Sequence, residues 1–245
     1  IKAVYNLSEI SSIPAAFCKF DASNFPSISN FYDVILFDLD GTLTDPGIGI
    51  TNSIMYALEK YGIEVKDRSE LYKFIGPPLE GSFMRYYNMT EKEAERAVSL
   101  FREYFSDRGI FENSLLPGIR ELLSALRSGG KTIALATSKP GEFAKRILSH
   151  FDIDKYFDFV SASELDGTRV DKGEVIAYAI ERLKITDKRN VVMVGDRSYD
   201  IKGANANGID SVGVLFGYGS REELTEAGAV YIAQNADELR DILLP

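Results

Sequence analysis

Cysteine and histidine each occur once in the 245 residues, and these two scarcities remove several chemistries. Cys18 by itself can form neither an internal disulfide nor a cysteine-rich zinc site, and it reads as an inert thiol. The cysteine-phosphatase pattern needs an arginine six residues after the cysteine, where Asn24 stands. His150 alone leaves no two-histidine metal site, and its place on an amphipathic stretch suits a structural role. Long hydrophobic runs are missing: nothing approaches the ~18 consecutive apolar residues of a membrane span. The first residues also lack a basic-then-apolar signal pattern, so the expectation is a soluble, cytoplasmic protein. Basic clusters are absent as well, and a net charge of −9 argues against nucleic acid or an anionic membrane as partner. An anionic substrate would have to be drawn in by a metal and local donors. A P-loop is nearly present at Gly130-Lys131-Thr132, but Ala125 occupies the place of its first glycine.

With 45% hydrophobic residues, the chain can bury a core of good size. Short apolar runs recur from Asp33 onward: Val34–Phe37, Thr132–Ala136, Phe157–Val160, Val191–Val194 and Ser211–Leu215. Runs bounded in this way read as buried parallel strands. Helix-like stretches lie between them at Glu142–His150, Lys172–Leu183 and Tyr199–Asn207, the last closed by Gly208. The pattern is α/β, a doubly wound, Rossmann-like parallel sheet. About ninety residues separate the first two runs, where a βαβ unit needs only ~30. The excess reads as a helical insertion: Ile50, Ile54, Leu58 and Tyr61 share a face, and Thr90 with Glu93 forms a capping box. Pro117 then suits the first turn of a returning helix through Leu126. The expected organisation is a catalytic core at 31–45 and 114–245, a helical cap at 46–113, and a peripheral extension of unassigned role at 1–30.

Phe37-Asp38-Leu39-Asp40-Gly41-Thr42 carries the strongest chemical signal. Residues i and i+2 of a strand point the same way, so both acids can converge at the carboxyl end of the first strand, where open α/β sheets bind ligands. Gly41 permits a close turn, while Thr42 and adjacent amides can donate to an anion. Three more segments fall at other strand ends. Thr137-Ser138 can hold a phosphate oxygen, although alone it also fits a helix cap. Lys172 can neutralise phosphate and nucleophile, although a single lysine usually faces solvent. Asp196 and Asp200, one helical turn apart, offer hard oxygen ligands suited to Mg²⁺, although they too fit a capped helix start.

These four segments, in this order over about residues 32–243, resemble the four motifs of the haloacid dehalogenase superfamily, and the insertion resembles its cap. The resemblance implies Asp38 as nucleophile, Asp40 as general acid/base, Thr137 as phosphate-binding hydroxyl and Lys172 as charge-balancing lysine. It implies Mg²⁺ held by Asp38, the backbone carbonyl of Asp40 and Asp196, with Asp200 adjacent or bound through water. An acid at position 40 favours phosphate chemistry over dehalogenation. A phosphonatase would need a cap lysine such as Lys60, Lys66 or Lys73, a phosphomutase would return the phosphoryl group to a sugar, and a binding module would have broken carboxylates. Asp45 and Phe74–Leu79 are similar to the phosphoglycolate phosphatase-like branch, with a 5′-nucleotidase as the alternative. Lys73 and Arg85 are candidates for a substrate carboxylate, and Phe83, Tyr86 and Tyr87 for stacking on a base. The expected partner is a small phosphorylated substrate, acted on by a monomer or homodimer.

Overall fold

The computed structural model describes residues 32–245, so the extension at 1–30 lies outside the described residues. Six strands form one sheet: β1 (Val34–Phe37), β4 (Thr132–Pro140), β5 (Phe159–Ser163), β6 (Val191–Gly195), β7 (Asp210–Val214) and β8 (Tyr231–Ala233). Their order is β5-β4-β1-β6-β7-β8, and every neighbouring pair is parallel.

The apolar runs are continuous because both faces of the sheet are covered. Ile35, Phe37, Ile133, Leu135, Val192 and Val194 enter one core, whereas Leu36, Ala134, Ala136, Val191 and Met193 enter the other. Alternation along each strand thus feeds two opposite layers. The first core is closed by α4 (Ile119–Ser128), α5 (Gly141–His150) and α9 (Ala236–Leu243), through residues such as Leu122, Ile147 and Leu239. The second is closed by α6 (Lys172–Arg182) and α7 (Ser198–Asn207), through Val175, Ile176, Ala179 and Ala204. The short α8 (Arg221–Glu226) places Leu224 against Ile201. The chain leaves β1 for β4 on one side and later returns to β6 on the other, so the crevice at the carboxyl ends of these strands is the topological switch point.

Helices occupy the stretch between β2 (Thr44–Asp45) and β3 (Ser114–Leu115), two short strands that pair antiparallel as a neck. They are α1 (Gly47–Glu59), a 3-10 helix (Arg68–Phe74), α2 (Leu79–Tyr87), α3 (Glu91–Tyr104) and a π-turn (Phe105–Gly109). The Thr90–Glu93 capping box forms at the start of α3. Phe74 sits at the centre of this insert, with the rings of Phe83, Tyr86 and Tyr87 5.3, 5.4 and 6.0 Å away.

Several boundaries differ from the sequence reading. The strand expected at Phe157–Val160 runs Phe159–Ser163, because a 3-10 turn at Asp154–Tyr156 takes up the preceding residues. Helix α4 begins at Ile119 and not Pro117, since Gly118 turns left-handed first with φ 78°. Strand β8, only Tyr231–Ala233, is too short for periodicity to reveal. Among the described residues no helix is long and apolar enough to cross a membrane.

Candidate active site

The site begins where β1 stops. Leu39 O accepts hydrogen bonds from the N–H groups of Thr42, Leu43 and Thr44 at 3.3, 2.9 and 3.0 Å, closing a tight turn directly after Asp38. Gly41 has φ +80°, and a Cβ there would fall 2.2 Å from Asp196 Oδ2, so only glycine lets the turn pass the carboxylate. Gly195 is constrained in the same way, since a Cβ would lie 2.2 Å from Asp200 Cγ.

Lys172 opens α6, whose first turn is held by the Asp171 side chain accepting from the N–H groups of Gly173 and Glu174. The ammonium, buried, reaches Asp38 Oδ1 at 2.7 Å and Asp200 Oδ1 at 2.8 Å, and donates to Ala136 O at 3.1 Å. Burial works against its charge, but Asp200 and Asp38 prevail and hold its pKa above the ordinary lysine range. Asp200 Oδ2 accepts from Arg197 N–H at 3.1 Å. Burial, opposed by Lys172 and reinforced by Asp38, brings the Asp200 carboxyl up to about 6. Asp196 is fully buried; its Oδ2 accepts from Tyr218 N–H at 2.8 Å and its Oδ1 from Thr42 Oγ1 at 3.4 Å. Burial, then Asp200 and Asp38, push its carboxyl well above the usual carboxylate range.

Oxygens of Asp38, Asp196 and Asp200 all lie within 4.8 Å of one another. Three buried carboxylates in mutual repulsion, with hard oxygen donors, fit a small divalent cation. Asp40 adds a fourth acid, also raised by burial, and Lys139 pairs with its Oδ2 at 2.7 Å and opposes the rise. Four carboxyls thus face two ammonium groups, so acids outnumber bases in the cluster.

Of the predicted site residues, Asp38, Lys172, Asp196 and Asp200 are brought into one cluster, with Asp40 beside them. Thr137 is buried and its Oγ1 accepts from Lys139 N–H at 3.2 Å, while Ser138 O accepts from Ser163 Oγ at 2.8 Å. Thr42 turns its hydroxyl to Asp196. The insert residues group differently: Phe83 is fully buried, and Lys73 and Arg85 lie over the Tyr86 ring at 4.3 and 5.5 Å. A cavity of about 700 Å³ between α1 and α3, lined by Asn52, Tyr56, Glu59 and Tyr104 among others, shares no residue with the acidic cluster.

Three contributors escaped the sequence reading. Lys139 carried one signal, a charged residue two places beyond Thr137 at a strand end. Tyr218 stands between Gly217 and Gly219, and a Cβ at either glycine would strike Asp196 or Gly41; that glycine-flanked tyrosine was legible as a close approach. Its hydroxyl donates to Asp45 Oδ1 in the neck, which also accepts from Gly47 N–H at 3.0 Å. Burial and the Asp45 hydrogen bond raise the pKa of this phenol. Arg197 pairs through Nε with Glu223 at 3.0 Å and donates from Nη1 to Ile75 O at 2.7 Å, tying core to insert.

Comparison with known proteins bears on this geometry. The family described as haloacid dehalogenase-like hydrolase matches residues 35–214. A 5′-nucleotidase of Pseudomonas aeruginosa is 44% identical over 212 residues, covering 86% of this chain and 96% of that protein. The tyrosine-protein kinase PtkA of Mycobacterium tuberculosis is 41% identical, covering 86% of this chain and 72% of that protein. The crystal structure of a predicted phosphatase from Clostridium acetobutylicum superposes with a TM-score of 0.84 at 49% identity, covering 87% of this chain and 99% of that one. An acid pair at the end of β1, a buried lysine on α6, two acids after β6 and this match together assign the chain: it belongs to the haloacid dehalogenase-like hydrolases and is a phosphoric monoester hydrolase of that family.

Proposed function

We propose that the protein hydrolyses small phosphate monoesters in a Mg²⁺-dependent reaction with Asp38 as nucleophile. The observation that carries this reading is Lys172, buried and bridging Asp38 and Asp200 at 2.7 and 2.8 Å inside a cluster of acids. Asp38 attacks phosphorus as the ester bond breaks, and Asp40 gives its proton to the departing oxygen. Water then attacks the aspartyl phosphate, Asp40 takes a proton from it, and Asp38 is released with inorganic phosphate. A carboxylate leaves phosphorus more readily than an alkoxide, so two easier steps replace one hard one. Lys172 limits repulsion between the dianion and Asp38. Thr137 and Ser138 receive the phosphate oxygens. Thr42, first read as a phosphate donor, serves in this scheme to hold Asp196.

Asp38, Asp196 and the Asp40 backbone carbonyl would hold Mg²⁺, with Asp200 beside it or bound through water. The crowding of buried Asp38, Asp196 and Asp200, whose mutual repulsion a divalent cation would relieve, supports this. When bound, Mg²⁺ offsets carboxylate repulsion and polarises the phosphoryl group. Residues 46–113 act as a cap that excludes water during transfer, seated by Arg197 on Ile75 and by Arg146 on Ser106 O at 2.6 Å.

Nucleoside 5′-monophosphates are the substrate class this reading favours. The 44% identity to a 5′-nucleotidase supports it. Phosphate release from nucleoside monophosphates, phosphoglycolate and sugar phosphates, with and without Mg²⁺, tests the proposal. Phosphoglycolate as the preferred substrate would overturn the nucleotide assignment, and release without Mg²⁺ would overturn the metal.

A further inference from the structure

Lys139 lies on the irregular end of β4, where the register with β5 shifts between Thr137 and Pro140. An irregularity of that kind re-aims the side chains beside it. Lys139 Nζ sits 2.7 Å from Asp40 Oδ2, with only 7% of the lysine side chain and 15% of the aspartate side chain exposed. The ammonium is 4.7 Å from the centroid of Phe105. Phe105 belongs to the insert and packs edge-on against Phe143 of α5, with centroids 5.4 Å apart. The lysine is therefore held by its own strand end, by an acid and by a ring of the insert.

Desolvation of both ions offsets much of their attraction, so a buried pair is weak support for a purely stabilising role. Lys172 already serves Asp38 and Asp200, which leaves Lys139 to Asp40. Asp40 Oδ2 is tied to the lysine, whereas Oδ1 is buried with no hydrogen-bond partner among the described residues. We propose that Lys139 is a positioning residue of the phosphatase reaction, anchoring one oxygen of Asp40 so that the other meets the oxygen that gains or loses the proton. The inference rests on the acid/base role proposed above for Asp40. In the first step the ester oxygen takes the Asp40 proton as its bond to phosphorus breaks and the Asp38 bond forms. In the second, Asp40 takes a proton from the water that adds to phosphorus as the Asp38 bond breaks. Lys139 exchanges no proton in either step; it sets where the exchange occurs.

Lys139→Met and Lys139→Arg, compared with wild type on p-nitrophenyl phosphate and benzyl phosphate in Mg²⁺, test this. Benzyl alcohol needs its proton on departure and nitrophenolate scarcely does. The Met variant should lose about 10²-fold in kcat on benzyl phosphate with little change in KM. On p-nitrophenyl phosphate it should release a burst of nitrophenolate approaching one per protein and then turn over slowly, with the phosphoryl adduct on Asp38 in acid-quenched mass spectra. The Arg variant should recover a large part of the benzyl activity. Equal losses on both substrates without a burst would overturn the inference. A second arm guards against a folding defect: in an Asp40→Asn background, adding Lys139→Met should change the benzyl rate by less than about threefold, because residues acting as a unit are not additive. A further tenfold loss there would show that Lys139 acts independently of Asp40, and would also overturn the inference. Failure of the underlying reading appears instead as a phosphoryl adduct on a residue other than Asp38, or as Asp40→Asn releasing nitrophenolate with no adduct at any time point.

Discussion

Replacing Lys172 by methionine keeps the volume of the side chain and removes its charge. The structure then leaves Asp38 and Asp200, with side chains 11% and 1% exposed, facing each other without their shared cation. Removing one partner of a buried pair typically costs about 3–5 kcal/mol. For a folded body of this size each kcal/mol moves Tm by about 2–4 °C, so the expected drop is roughly 6–20 °C in EDTA at pH 8. The deficit should depend on pH. Asp200 in the folded protein titrates at about 6, above its ordinary value, so the folded state binds a proton that the unfolded state has released, and stability falls as pH rises through that window. Loss of the lysine removes the charge that opposes the rise at Asp200 and enlarges the penalty at pH 8. Towards pH 5 Asp200 protonates, the lysine loses that partner, and the gap between variant and wild type should narrow. Urea titrations followed by circular dichroism between pH 5 and 8 measure the difference. Mg²⁺ at a hundred times its dissociation constant should return about 2.7 kcal/mol to a variant that still binds it. A variant within 1 kcal/mol of wild type at pH 8, or a deficit that does not shrink on acidification, would refute the bridging role. The same substitution should lower kcat by about 10²–10³.

Chelation should abolish turnover and restored Mg²⁺ should recover it, because Asp38, Asp196 and Asp200 crowd together in a buried space; full activity in excess EDTA would exclude the metal role. The two acids after β1 should fail differently. Asp38→Asn should never carry covalent phosphate, whereas Asp40→Asn, slowed by about 10²–10⁴, should carry it at least transiently with an aryl phosphate. An adduct mapping to any residue other than Asp38 in acid-quenched mass spectra would sink the mechanism.

The fold was legible largely because its signals are local. Val34–Phe37 and Val191–Val194 are uninterrupted apolar runs, and a strand covered on both faces needs nothing else. The two-residue period of a strand predicts a shared direction for Asp38 and Asp40, but β1 ends at Phe37 and Asp40 lies in the turn beyond it, so it is their place directly after the run that was legible. The Thr90–Glu93 box declares a helix start within four residues, a relation the backbone imposes locally. Even there the edges slipped: Phe157 and Asp158 look like strand but precede β5, because pairing with β4 and not composition decides where a ladder begins.

The pairings across the site depended on the tertiary structure alone. Asp40 meets Lys139, Asp196 meets the Tyr218 amide, and Arg197 meets Ile75 across 99, 22 and 122 positions of chain respectively. None of these distances follows from a period. They arise from the strand order β4-β1-β6-β7, which sets segments remote in sequence about one strand spacing apart, and from the docking of the insert on the core. Thr42 illustrates this: its sequence position suits a phosphate donor, and in the fold its buried hydroxyl also lies 3.4 Å from Asp196 Oδ1, a contact no local pattern announces. The sequence alone determined which groups reach the sheet's carboxyl edge, since side-chain direction is a local property of the backbone. Which of them share a proton, a charge or a hydrogen bond was decided by desolvation at that edge, where each buried ion or donor had to take the partner that packing placed beside it.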